Sequence, residues 1–291
     1  MSEAAILLVV ISTVMHAGWN LLAKRGHSQV AFFRRMLVLI TIAGVLPWVL
    51  AQWFVDPLPP KAWACVVGAG VCSGIYCFGL ALAYERAEFT VVYPVARALP
   101  ILILGFIDVL RSRHPTLLGW VGMSFVACGC FAAPLRTWTD FAWNRYANRT
   151  SVTMLLASLG TVGYSLIDKI AAEGLQQGPA SAAVYGYPLF VMTWATYAGA
   201  LKLTKWPSPP SGLPAWPAAG LGAVMCFGAY WLVLWAYQMA EQVCYVVALR
   251  QLSIVIGAGL AILVLKEHAR PVRVVAIALI TIGLVIIAVY G

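Results

Sequence analysis

Two arginines stand in stretches that otherwise hold almost no charge. Arg97 follows Thr90-Val91-Val92-Tyr93-Pro94-Val95-Ala96, and Arg250 follows Val243-Cys244-Tyr245-Val246-Val247-Ala248-Leu249. The planar guanidinium donates two hydrogen bonds at once to a carboxylate or phosphate, so the chemistry these positions offer is anion recognition. Helical steps of three and four put Thr90, Tyr93 and Arg97 on one face, and Thr161, Tyr164, Ser165 and Asp168 on another. His16, Trp19 and Asn20 make a third polar stripe, and Gln251 adjoins Arg250. Tyr76, Tyr230 and Trp231 offer aromatic walls, or serve as interfacial anchors.

Asp168 is the carboxylate placed deepest in an apolar run, and Lys169 follows it directly. The two form a local ion pair, or Asp168 balances an arginine and its pairing shifts when a proton or substrate binds. His16 is a candidate coupling group because imidazole titrates near neutrality; a hydrogen-bonded structural role is the alternative. The arginines too have a structural alternative, each capping a broken helix or pairing with a carboxylate.

Catalytic patterns are missing: there is no HExxH, no GxSxG, no paired-aspartate protease pattern and no Walker loop. The seven cysteines all lie in apolar stretches and never form a CxxC pair, so they read as packing residues and neither a metal nor another cofactor is expected. The chain is therefore expected not to be an enzyme. Any coupling would come from an ion gradient or from exchange, not from ATP.

The elements that carry these residues are membrane helices. Of 291 residues 62% are hydrophobic and 10% charged, against roughly 25% charged in an ordinary soluble domain. Apolar runs of spanning length recur throughout, near 3–24, 30–54, 61–84, 88–110, 115–135, 151–173, 181–203, 213–237, 242–265 and 271–290. Met1-Ser2-Glu3 lacks a basic leader region, so the first run is expected to stay as a helix. The formal charge of +9 resides at helix ends in ones and twos, which argues for membrane orientation and against nucleic-acid binding.

The longest polar break, 136–150, divides the ten runs into two sets of five, 1–135 and 151–291. The sets repeat each other. Gly18-Trp19-Asn20-Leu21-Leu22-Ala23-Lys24 matches Gly163-Tyr164-Ser165-Leu166-Ile167-Asp168-Lys169 at an offset of 145 residues. Ala83-Tyr84, Ala87-Glu88, Arg97 and Leu99 match Ala236-Tyr237, Ala240-Glu241, Arg250 and Leu252 at an offset of 153. An odd number of helices per repeat inverts the second copy, the plan of many alternating-access carriers, whose sites lie near the midplane on interrupted helices. Pro94 and Pro100 are expected to interrupt the fourth helix. Arg97 and Arg250 would then bracket a central site. An arginine at a helix centre costs about 2.5–3.5 kcal/mol even on lenient insertion scales, and such residues face a cavity or a partner.

Thirteen of the 19 Lys and Arg fall on loops 1–2, 3–4, 5–6, 7–8 and 9–10 with their flanks, and four (Lys61, Arg111, Arg113, Lys169) on the other face. The positive-inside rule puts the richer face in the cytoplasm and both termini outside.

Ten helices in two five-helix repeats, with His16-Ala17-Gly18-Trp19-Asn20, Tyr93-Pro94-Val95-Ala96-Arg97 and Leu249-Arg250-Gln251-Leu252-Ser253, resemble the EamA-type branch of the drug/metabolite transporter superfamily. The resemblance implies an all-α integral membrane fold of ten transmembrane helices as two inverted repeats, around a cavity lined by helices 1, 3, 4, 6, 8 and 9. It also implies substrates such as amino acids, aromatic compounds, sugar phosphates or nucleotide sugars, and for some relatives cytoplasmic termini, opposite to the charge count.

The expected function is secondary-active transport of a small anionic or zwitterionic metabolite: an amino acid, carboxylate, phosphonate or phosphate-bearing compound. A flippase for a lipid-linked or amphipathic phosphate-bearing substrate is the alternative. The expected substrate-binding set is Arg97, Arg250, Tyr93, His16, Trp19, Asn20, Tyr164, Ser165, Tyr230 and Gln251, with Asp168, Lys169 and His16 as coupling or ion-pair groups. Expected partners are the substrate, membrane lipids and a second copy in a homodimer. The expected location is a prokaryotic inner membrane.

Overall fold

The computed structural model describes residues 1–25, 28–86, 89–132, 135, 137, 149–206, 216–256 and 271–290; the side chains of 24–25, 84–98, 149–151 and 273 lie outside the described residues. All regular structure among the described residues is helical. Without water in the hydrocarbon, each spanning segment must satisfy its own backbone groups, and the helix does so within one segment.

The helices are α1 (Glu3–Arg25), α2 (Gln29–Ala43), α3 (Val45–Ala51), α4 (Pro60–Arg86), α5 (Phe89–Leu110), α6 (Leu117–Ala132), α7 (Arg149–Ala172), α8 (Pro179–Leu203), α9 (Trp216–Tyr237), α10 (Val243–Leu249) and α11 (Pro271–Tyr290). Among the described residues four helices are long and apolar enough to cross a membrane alone: α1, α4, α7 and α9. The α2 and α3 pair passes the same test together, bent by 44°. The chain is thus a multi-pass membrane protein.

Local signals explain several ends. Ser28 Oγ accepts from the Ala31 amide at 3.3 Å and caps α2. Gly178, with φ of 136°, turns the chain into α8, and Pro179 opens that helix where its missing N–H costs nothing. The bend between α2 and α3 falls at Gly44, where a Cβ would lie 2.6 Å from the Tyr187 ring.

Two expectations about helix continuity change. Pro94 and Pro100 do not break α5, whose helical backbone runs from Phe89 to Leu110. The break lies in the second half instead, where α10 ends at Leu249 and Arg250 and Gln251 form a turn before helix resumes at Leu252. No proline or glycine causes it. The amides tighten to third-neighbour carbonyls, Gln251 to Ala248 at 2.9 Å and Ile254 to Gln251 at 2.8 Å. Ser253 Oγ donates back to the Arg250 carbonyl at 2.8 Å and holds the turn.

The packing is inside-out relative to a soluble bundle. Leu7, Val14, Phe106, Leu110, Val224 and Val285 are exposed, while Ser12, Thr13, His16, Asn20, Asp168 and Arg250 are buried. Polar groups turn inward because lipid offers them no partner. The main contacts run between α4 and α7, α6 and α11, α1 and α9, and α4 and α8, and α5 rests on α6, α7 and α10. Small residues let these helices approach. A Cβ on Gly160 would lie 2.7 Å from the Cys72 carbonyl oxygen, and one on Gly122 would lie 2.8 Å from that of Gly283.

Candidate functional site

Arg250 sits where α10 breaks, and its guanidinium is carried into the protein, 5% exposed. Around it stand Tyr164 from α7, Tyr237 and Tyr230 from α9, and Tyr76 from α4. The guanidinium carbon is 6.0 Å from the Tyr164 ring centroid, and Nη1 donates to the Tyr164 hydroxyl at 3.5 Å, the long limit for a hydrogen bond. Among the described residues no carboxylate comes within 4.0 Å of it.

The aromatic wall is continuous. Tyr164 meets Tyr76 edge-on at 5.7 Å and Tyr230 at 5.7 Å, and Tyr230 meets Phe190 at 5.3 Å. Behind it lies Asp168, 1% exposed, with its two oxygens taken by tyrosines: Tyr185 donates to Oδ1 at 2.8 Å and Tyr230 to Oδ2. Asp168 therefore shares the electrostatic neighbourhood of Arg250 without forming an ion pair with it.

Several buried polar atoms in this region have bonding capacity to spare: Ser165 Oγ and Tyr237 Oη, which neighbour only each other, and Gln251 Oε1, which has no hydrogen-bond partner. The amide nitrogen of Gln251 is used locally, donating to the Val247 carbonyl at 2.9 Å. Buried polar atoms are rarely left unpaired, so their concentration beside a guanidinium with one long hydrogen bond and no carboxylate partner marks the place where the protein has spare bonding capacity.

The structure thus brings together Arg250, Tyr164, Ser165 and Tyr230 from the expected set, with Asp168 adjoining. It gathers His16, Trp19 and Asn20 into a second cluster. Trp19 Nε1 donates to His16 Nδ1 at 3.3 Å, Asn20 Nδ2 donates to the His16 carbonyl at 2.7 Å, and all three are buried. Trp19 continues edge-on to Phe33 at 5.7 Å, which stacks on Tyr197 at 6.4 Å, so this cluster leads toward α2 and α8. The side chains of Tyr93 and Arg97 lie outside the described residues. Lys169 turns away from its neighbour: Nζ donates to the Tyr237 carbonyl at 3.0 Å and lies 3.6 Å from Glu173.

Glu173 also meets Arg111 at 2.9 Å and Arg113 at 3.9 Å, so three of the four basic residues on the charge-poor face converge on one carboxylate. That hub joins the end of α5 to the end of α7. Nearby, Asp108, fully buried, accepts from the Cys244 amide at 2.8 Å and caps α10 from another helix.

Sequence reasoning missed Tyr185, Tyr237 and the Glu173 hub. Tyr237 did carry a signal, being the repeat partner of Tyr84 thirteen residues before Arg250. Tyr185 and Glu173 carried none, because their importance depends on which helices meet.

Residues 3–135 match the family model of the EamA-like transporter family. A protein of known crystal structure, 15% identical, aligns over 99% of this chain and 98% of its own with a TM-score of 0.71, so the two share a fold. No curated protein matches in sequence. Residues 3–135 are thus similar to the EamA-like transporter family, and over nearly its whole length the chain shares a fold with a protein of known structure.

Proposed function

We propose that this protein is a secondary-active transporter of a small anionic or zwitterionic metabolite, working by alternating access with ion coupling or exchange, in a prokaryotic inner membrane. The carrying observation is Arg250: buried, ringed by tyrosines, with one long hydrogen bond and no carboxylate in reach among the described residues. A buried charge without a partner is costly, and a ligand that brings negative charge offsets that cost.

Alternating access rests on two inverted five-helix repeats within ten transmembrane helices, and the packing supports that reading. Exchanging the halves converts the α1–α9 contact into the α7–α4 contact and returns α6–α11 and α5–α10 to themselves; all four contacts occur. Single residues follow the same rule. Gly18 and Gly163 are equivalent at the offset of 145, and Met225 and Cys72 at 153. A Cβ on Gly163 would lie 2.6 Å from Cys72 Sγ, and one on Gly18 would collide with the methyl of Met225.

Purified protein in liposomes is the test. Counterflow of labelled carboxylates, amino acids and phosphonates should identify a carried class, and Arg250→Ala and Arg97→Ala should each abolish it while remaining folded. Folded variants of both arginines with wild-type flux would end the proposal.

A further inference from the structure

Resting on the reading of Arg250 as the ligand-binding arginine, we infer that Ser165 and Tyr237 complete with it an oxyanion pocket, and that the ligand is recognised through a carboxylate or phosphonate end without an ammonium subsite at Asp168.

Three observations lead there independently of the arginine's burial. First, Tyr237 Oη and Ser165 Oγ are both in fully buried residues, and neither has a hydrogen-bond neighbour other than the other. Second, they are together: the two hydroxyls are hydrogen-bond neighbours of each other, each with bonding capacity to spare, and Tyr237 is an electrostatic neighbour of Arg250. Third, Tyr164, which precedes Ser165 on α7, already points its hydroxyl at the guanidinium. The free capacity is therefore one guanidinium fork and a set of hydroxyls from α7 and α9. With nothing bound, hydroxyls beside a cation turn their oxygen toward it. With an oxyanion bound, each rotates about its C–O bond and donates, so one set of side chains serves both states.

The same geometry sets the ligand's class. Asp168 is the only carboxylate behind the tyrosine wall among the described residues, and both its oxygens accept from tyrosine hydroxyls. An ammonium seeking it would have to displace Tyr185 or Tyr230 and lie near Arg250, a like charge. Asp168 thus acts as a positioning residue: it holds Tyr230, whose ring packs on Tyr164, which contacts the guanidinium.

The test uses three small probes at matched ionic strength, acetate, methylphosphonate and glycine, with melting temperature and calorimetric affinity read on purified wild type, Tyr237→Phe, Ser165→Ala and Arg250→Lys. Acetate or methylphosphonate should raise the wild-type melting temperature saturably, the stronger of the two naming the oxyanion; glycine should not. Tyr237→Phe and Ser165→Ala should each weaken that probe about 10- to 100-fold, the value of one hydrogen bond to a charged group. Without probe each should lower the melting temperature only slightly, because the one neighbour each hydroxyl has within the protein is the other. A structural role, direct or through a bound water, gives the reverse: lower stability without probe and unchanged affinity. That result, stabilisation by glycine alone, or no response to any probe overturns the pocket. If Arg250→Lys loses counterflow while Tyr237→Phe keeps wild-type probe affinity, the transport reading stands and this assignment alone falls.

Discussion

The hydroxyl of Tyr185 donates to Asp168 Oδ1 at 2.8 Å, tying α8 to α7 at a carboxylate that is 1% exposed. Tyr230 brings α9 to the other oxygen, so three helices from the second half meet on one side chain. Asp168→Ala would orphan two buried hydroxyls. The expected loss is about 2–6 kcal/mol, from about 1–3 kcal/mol for each unsatisfied group. Asp168→Asn, which keeps one acceptor, should cost less. Thermal melts followed by tryptophan fluorescence in detergent measure both; an alanine variant as stable as wild type would contradict the bonding described.

Helix approach should be intolerant at Gly160 and tolerant at Gly199. A Cβ on Gly160 meets the backbone of α4, 2.7 Å from the Cys72 carbonyl and 2.9 Å from the Tyr76 amide, where neither atom can swing aside. Gly160→Ala should cost about 1–3 kcal/mol through overpacking. At Gly199 in α8 an added Cβ meets nothing within 4 Å. Gly199→Ala should be neutral or stabilise by about 0.4–1 kcal/mol by restricting the unfolded chain. Comparing the two melting temperatures checks the packing of α4 on α7 directly.

The cap on α10 is expected to depend on an acceptor, not on charge. Asp108→Ala should cost about 0.5–2 kcal/mol and raise hydrogen exchange at the first amides of α10, beginning with Cys244. Asp108→Asn should retain most of the protection, since an amide oxygen caps a helix nearly as well. Equal exchange rates in all three proteins would refute the cap.

The Glu173 hub is half-buried on its acidic side, with the carboxylate side chain 31% exposed and Arg111 22% exposed. Glu173→Gln should therefore lose only about 0–1 kcal/mol, and the loss should shrink as salt rises from about 0.05 to about 1 M. A salt-independent loss of several kcal/mol would mean that the hub is dry and structural. Lys169 is the exception within it: at 5% exposure it also holds the Tyr237 carbonyl, so Lys169→Ala should be salt-insensitive.

Period and composition carried the secondary structure because a membrane helix needs little else: an apolar run of spanning length has no other low-energy conformation in lipid. The proposed repeat rests on the sequence in the same way, on aromatic and polar positions that recur at constant offsets. Arg250, Tyr164, Ser165, Tyr230 and Asp168 could be named from the chain because polar residues in apolar runs are rare. What the one-dimensional pattern could not supply was partnership. It suggested Lys169 or an arginine for Asp168, whereas Tyr185 and Tyr230 hold it; it put His16, Trp19 and Asn20 on one stripe, but not the edge-on ring contacts that carry that stripe toward Phe33 and Tyr197. Prolines pointed to a break in the first half, but the break falls at Arg250, where side-chain and third-neighbour bonds make it without any proline. Sequence alone therefore determined which segments are apolar enough to enter a membrane and which polar groups travel with them, because that choice is made by transfer free energy residue by residue. Only the tertiary structure decided which of those groups meet, because helix crossings set by glycine contacts such as Gly160 on Cys72 bring together side chains that nothing along the chain connects.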